Sequence, residues 1–248
     1  MRVVSLVPST TETLFALGVG DGVVGRTAFC VRPDKALAVP QVGGTKTPDI
    51  GRIAALAPDL ILTNAEENRA EDMAALVRLA PVASFYPRTV QDAIADLTAL
   101  GGLVGRWEQG AALARQAQAE LTRVRIGATP FRYAYLIWRQ PWMAAGAGTY
   151  ITDFLAQAGG VNVFDSPTPY PTIEPADLFA RAPDVVLLPD EPFPFRERHA
   201  AELTSLSPEP SVWQPRLRLV DGQLFSWHGV RLLDGLRMLH GIMFASPP

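Results

Sequence analysis

Short aliphatic runs alternate along this chain with segments whose apolar residues recur every three or four positions, which predicts strands interleaved with helices. Residues 3–7 (Val-Val-Ser-Leu-Val) read as a buried strand that Pro8 stops. Ser9-Thr10-Thr11-Glu12 has the spacing of a helix capping box, Leu14 and Leu17 share one helical face, and Gly18 is a natural stop. A second strand begins at Val23-Val24-Gly25. Pro48 and Asp49 open a helix through Leu56, Pro58 ends it, and Leu60-Ile61-Leu62 is a third strand. Residues 68–79 then predict a helix and 82–86 a short strand. The second half restarts with a strand over 133–138 and a Pro/Gly-rich loop to Gly148, followed by a helix over 151–158. Strands follow at 185–188 and 217–220, with a helix over 198–206 between them and a final amphipathic helix over 230–244. Strand alternating with helix implies α/β architecture with mainly parallel sheets covered on both faces.

One pattern occurs twice. Thr47-Pro-Asp-Ile-Gly-Arg-Ile-Ala-Ala-Leu-Ala-Pro-Asp-Leu-Ile-Leu62 is matched 125 positions later by Thr172-Ile-Glu-Pro-Ala-Asp-Leu-Phe-Ala-Arg-Ala-Pro-Asp-Val-Val-Leu187. Each copy gives an acid, a short helix, Ala-Pro-Asp and an aliphatic strand. A fainter echo precedes each copy, from Thr11-Glu12 to Gly18 and from Thr152-Asp153 to Gly159. Two halves built alike suggest two similar lobes with a cleft between them, where small ligands bind. We therefore expect an N-terminal lobe over 1–88, a connector over 89–125 and a C-terminal lobe over 126–248. The connector contains no proline between Thr89 and Val124, and its apolar residues keep near-helical spacing. Gly101, Gly102 and Gly105 weaken its middle, so one bent helix and two in tandem both fit.

Composition narrows the function. With 48% hydrophobic and 19% charged residues the chain can bury substantial cores. A formal charge of −3 with scattered arginines gives no support for nucleic-acid binding. No apolar run reaches a membrane span. The single Cys30 excludes an internal disulfide. The strand-like start leaves no room for a secretory signal, so both a cytoplasmic location and an export signal missing from this version stay open.

No catalytic constellation is legible. The three histidines, His199, His228 and His240, are far apart; we expect His199 to be solvated surface and His240 a packing or surface residue. Gly18-Val-Gly-Asp-Gly22 follows a helix, not a strand, which makes it a turn and not a dinucleotide loop. Cys30 has no basic partner beside it and reads as an inert thiol. Aromatic residues beside turns are more informative. Phe29, Tyr86, Trp138, Trp142, Tyr170, Phe225 and Trp227 fall just after predicted strands or between prolines, where parallel α/β sheets bind ligands. Arg26, Arg32, Arg88 and Arg139 near strand ends could hold carboxylate or catecholate groups, and equally could be surface charges.

Residues 2–14, Ile53-Ala-Ala-Leu-Ala-Pro-Asp-Leu-Ile61, Pro169-Tyr-Pro-Thr-Ile173 and Ser226-Trp-His-Gly-Val-Arg231 together resemble periplasmic substrate-binding proteins with a helical backbone. These receptors for cobalamin, ferric siderophores and haem feed ABC importers. The resemblance spans essentially the whole chain. It implies two α/β lobes joined by one long connecting helix, small closure on ligand, a periplasmic location, no catalytic residues and no protein metal site or cofactor, the metal arriving inside the ligand. Set beside the cobalamin-binding receptors, Phe29 matches a cleft aromatic, 223–227 a ligand-contacting loop, and Pro169-Tyr170-Pro171 a Pro-Trp-Pro. Their docking acids fall on Gly51 and Ala176 and are not kept, but Asp49 and Glu174 hold equivalent places in the two repeats and are candidates for meeting the permease. The expected ligand set is Phe29, Tyr86, Trp138, Trp142, Tyr170, Phe225, Trp227 and Arg139. The expected protein is a monomer capturing a metal chelate, a corrinoid in the first instance, with a ferric siderophore or haem as the alternative. A cytoplasmic enzyme or sensor on the same scaffold is the second alternative.

Overall fold

The computed structural model describes residues 1–244, with side chains to residue 240. The chain forms two compact units, one comprising 1–87, 91–118 and 227–233, the other 88–90, 119–226 and the chain from Asp234 onward.

The first lobe is built from β1 (Val3–Ser5), α1 (Pro8–Ala16), β2 (Val23–Arg26), α2 (Ile50–Ala55), β3 (Leu60–Asn64), α3 (Ala70–Leu76) and β4 (Val82–Phe85). Its strands lie in the order β2-β1-β3-β4, all parallel. Successive residues of β1 and β3 serve opposite faces, as strand geometry requires. Val3, Leu60 and Leu62 pack with Leu14 and Leu17 of α1, while Val4 and Ile61 pack with Ile53 of α2 and Leu76 of α3. Both faces are therefore apolar, and the strands read as continuous aliphatic runs.

The start of α1 differs from the expected capping box. Val7 is the N-cap and, having no polar side-chain atom, makes no cap bond; Pro8 occupies the first helical turn, where its missing N–H costs nothing. The threonines that follow bond backward: Thr11 Oγ1 donates to Val7 O at 3.0 Å, and Thr13 Oγ1 to Ser9 O at 2.7 Å. The helix end is as expected. Gly18 has φ of +74°, with Val19 N–H on Leu14 O and Gly18 N–H on Phe15 O, a Schellman cap.

The connector takes the second of the two forms left open, two helices in tandem, α4 (Val90–Leu103) and the 20-residue α5 (Trp107–Ile126). Gly105, at φ of +67°, ends α4, with Arg106 N–H on Gly101 O and Gly105 N–H on Gly102 O. The chain then folds back closely. A Cβ on Gly101 would stand 2.9 Å from Gly110 Cα, and one on Gly110 would stand 2.5 Å from Leu97 O. The glycines expected to weaken the connector end the first helix and admit the next one.

The second lobe contains β5 (Phe131–Trp138), β6 (Met143–Ala144), α6 (Tyr150–Ala156), β7 (Gly160–Asn162), α7 (Pro175–Arg181), β8 (Val185–Pro189), α8 (Glu197–Ser205), α9 (Pro210–Trp213), β9 (Leu217–Val220), α10 (Gln223–Ser226) and α11 (Arg231–Phe244). Residues 231–233 of α11 count with the first lobe. The strands run β6-β5-β8-β9, with β7 also on β5; only β6 is antiparallel. The two- and three-residue strands β6 and β7 are too short to carry a strand period, so the hydrophobic pattern could not find them.

The duplicated Ala-Pro-Asp is one clamp made twice. Ala57 and Ala182 both turn left-handed, at φ of +44° and +45°, to end α2 and α7. Asp59 Oδ2 accepts the Arg2 N–H at 2.6 Å, as Asp184 Oδ2 accepts the Arg132 N–H at 2.7 Å. In return the Arg2 guanidinium caps Leu56 O at 2.7 Å and that of Arg132 caps Arg181 O at 2.7 Å. In each lobe one aspartate starts the central strand, and one arginine closes the helix that follows the acid.

Candidate functional site

In a parallel sheet, strand carboxyl ends and the loops after them form the ligand-facing edge. In the first lobe β2 ends at Arg26, which is buried. Its guanidinium donates to Ala36 O at 2.7 Å, Thr27 O at 3.0 Å and Leu37 O at 3.1 Å. Those bonds tie down the loop over 27–38. Cys30 sits beneath it, fully buried, its thiol 3.2 Å from Thr27 Oγ1 and pushed up in pKa by burial. Burial keeps its sulfur from solvent. Above this fixed loop the ring of Phe29 is 60% exposed. Tyr86, just after β4, is 46% exposed.

Beneath the end of β3 lies a polar network. Asn64 Oδ1 accepts Glu66 N–H at 2.7 Å and Glu67 N–H at 3.2 Å, which fixes its amide so that Nδ2 donates to His228 Nε2 at 3.1 Å. His228 Nδ1 faces Ser9 Oγ at 3.5 Å. Burial lowers the His228 pKa to about 4, so the ring is neutral at pH 7. Val230 N–H donates to Thr13 Oγ1 at 3.0 Å, and Arg231 pairs with Glu12. The Ser226–Arg231 motif therefore owes its His, Gly and Arg to seating residues 227–233 against α1. Beside this seat, Thr10, Thr13, Phe85, Asp96 and His228 line a cavity of about 10 Å³.

In the second lobe β5 ends at Trp138, 42% exposed and edge-on to Phe193 at 5.6 Å. Trp142 is half-buried and stacked on Phe195 at 6.1 Å. Arg139 lies over Trp142 at 5.9 Å and donates to Glu202 at 2.6 Å, which raises its pKa. His199 completes this cluster. It is buried, not solvated as expected, because its Nδ1 accepts Arg196 N–H at 3.0 Å to cap α8 and Phe193 and Phe195 pack its ring. Sequence reasoning missed Phe193 and Phe195; the only sign was their place in Pro192-Phe-Pro-Phe195. Tyr170 is half-buried on a loop laced to Gly146, whose N–H bonds Pro169 O at 2.7 Å.

Phe225 is a correction. Its ring is 1% exposed, against Tyr135 at 5.6 Å and Phe154 at 6.0 Å, so it builds the core of the second lobe. The short α10 turns it inward. Trp227 is 9% exposed. Arginine assignments shift as well. Arg26 is spent on carbonyls, Arg139 on Glu202, and Arg88 on Gly148 O at 2.6 Å. Arg32 is exposed on the loop after Phe29.

The paired acids differ. Asp49 accepts Arg52 N–H at 2.9 Å as the N-cap of α2 and pairs with the Arg52 side chain at 3.2 Å. Glu174 is the N-cap residue of α7, but its side chain makes no cap bond and is exposed. Among the described residues no group of three or more His, Cys, Asp or Glu could hold a metal ion, and no helix is long and apolar enough to cross a membrane.

Two α/β lobes with rings raised at the strand ends define a bilobal ligand-binding protein. Residues 3–202 match the family described as periplasmic binding protein, and the chain belongs to it. It is a binding protein, not an enzyme. It is 28% identical over its full length to 90% of a vitamin B12-binding protein of Pectobacterium carotovorum. Its fold matches the periplasmic vitamin B12 binding protein of Vibrio cholerae with a TM-score of 0.81 and 23% identity, covering 99% of this chain and 98% of the other. It also matches an apo periplasmic heme-binding protein of Roseiflexus sp. RS-1 with a TM-score of 0.84 and 23% identity, over 98% and 97% of the two chains.

Proposed function

We propose that this chain is the substrate-binding component of an ABC importer, that it works outside the cytoplasm as a monomer, and that its favoured cargo is a corrinoid. One observation carries the choice of cargo. At the strand ends Phe29, Tyr86 and Trp138 raise exposed rings, while Arg26, Arg88 and Arg139, suited by type to anionic groups, are held by acceptors within the chain. Flat apolar faces, with three of the four strand-end arginines engaged within the chain and Arg32 exposed beside Phe29, favour a large ligand rich in neutral amides over a dicarboxylate or a catecholate. Trp142 and Tyr170 extend the apolar surface of the second lobe. The protein needs no cofactor, since the metal travels within the cargo.

Haem is the second reading, supported by the fold likeness to heme-binding proteins. Calorimetric titration with cyanocobalamin, haemin and a ferric tris-catecholate separates the cases. Binding of cyanocobalamin alone is expected; heat with haemin or the catecholate and none with the corrinoid would overturn the choice. For the permease, the exposed Glu174 is the stronger docking candidate, and Asp49, half-committed to Arg52, the weaker. Charge reversal at Glu174 should slow uptake by the assembled importer while leaving cargo affinity unchanged.

A further inference from the structure

The seat of residues 227–233 on α1 leaves one polar atom without a counterpart. Asp96 lies on α4, and its Oδ2 is buried with no hydrogen-bond partner. Asp96 lines the cavity of about 10 Å³ together with Thr10 and Thr13 of α1, Phe85 of β4 and His228-Gly229 of the seat. All of these residues belong to the first compact unit. A buried carboxylate oxygen left without a donor is costly. Asp96 has a pKa of about 6, so at pH 8 it is ionised and its oxygens only accept.

The groups around the cavity have already committed their protons. Thr13 Oγ1 donates to Ser9 O at 2.7 Å and accepts Val230 N–H at 3.0 Å. His228 is neutral, its Nε2 accepting from Asn64 Nδ2 and its Nδ1 facing Ser9 Oγ. Asp92, the nearby charge on α4, has the same sign as Asp96. The donor must come from outside the chain, and the space decides which. A cavity of this volume holds about one water, and a buried water needs two to four polar partners. Asp96 Oδ2 and the Thr10 and Thr13 hydroxyls supply them. A calcium or magnesium ion would need about six oxygens, too many for a wall completed by Phe85, Leu97 and Leu100.

We infer that this cavity is a binding site for one water molecule, which links Asp96 of α4 to α1 and so helps to hold His228-Gly229 in place. Gly229 has φ of +76°, and a Cβ there would run into Thr13 Oγ1, so the seat rests directly on one of the hydroxyls that line the site. The site is independent of the receptor reading and of any cargo.

The test compares the full chain with Asp96→Asn and Asp96→Leu at pH 8 by deuteron magnetic relaxation dispersion, which counts long-lived internal waters. Asn keeps an acceptor and should keep the water; Leu should show about one water fewer. Amide exchange gives a second readout. The protection of Val230 N–H relative to Ile61 N–H, which bonds Pro81 O, should fall about fivefold in Asp96→Leu and stay within about twofold in Asp96→Asn. Equal water counts in the wild type and Asp96→Leu, or an unchanged Val230 to Ile61 ratio in that variant, would overturn the inference. So would loss of the wild-type signal when sodium is replaced by choline, because a cation would then be the occupant. A crystal structure of the wild-type chain with Asp96 Oδ2 bonded directly to a side chain would overturn it without any variant.

Discussion

Asp96 on α4 gives the sharpest test of these energetics. Its Oδ2 is buried without a hydrogen-bond partner beside the small cavity under residues 228–229. Burial first, and the charge of Asp92 second, push its pKa up from 3.8 to about 6. A shift of about two units corresponds to roughly 3 kcal/mol at ~1.36 kcal/mol per unit. Asp96 is partly open to solvent, which screens the charge, so we halve this to about 1–2 kcal/mol. The sign follows from linkage. The folded state holds the proton more tightly than the unfolded one, so this group subtracts stability as pH rises from about 4 to 6, and the loss is complete above that. Asp96→Asn keeps the shape and removes the charge. Urea unfolding should find the variant more stable by about 1–2 kcal/mol at pH 8, with most of the gain gone by pH 4. A variant less stable than wild type at pH 8, or a gain that does not change with pH, would refute the reasoning.

The other predictions follow the same logic. His228 has a depressed folded pKa of about 4, so its contribution is intact above pH 6.5 and lost as pH falls toward 4, up to roughly 3 kcal/mol; His228→Gln should flatten that limb of the urea midpoint against pH. Gly110→Ala should cost about 1–3 kcal/mol, because its methyl would meet Leu97 O at 2.5 Å. Gly102→Ala, with nothing nearer than 4.0 Å, should gain up to about 1 kcal/mol in the same melts. Trp138→Ala should weaken cargo binding in calorimetry while barely changing stability, whereas Phe225→Ala should cost about 3–5 kcal/mol of stability.

Much of the fold is determined by the chain read alone. Aliphatic runs covered on both sheet faces leave one pattern whether or not neighbours are known, so β1, β3, β5 and β8 were legible from Val, Ile and Leu spacing. The repeated Ala-Pro-Asp announced a repeated structure because its parts act locally: a left-handed alanine, a proline that cannot continue the helix, and an aspartate for the next strand. Tertiary structure decided what depends on partners distant in sequence. Nothing near Gly101 says that Gly110 packs against it, so the break between α4 and α5 stayed ambiguous. Nothing near Arg26, Arg139 or His199 says whether a carbonyl, Glu202 or a capped helix waits for them, and the inward turn of Phe225 depends on Tyr135 and Phe154. A side chain's type is set by its own codon, but its exposure and its hydrogen-bond partners are set by what folding brings against it.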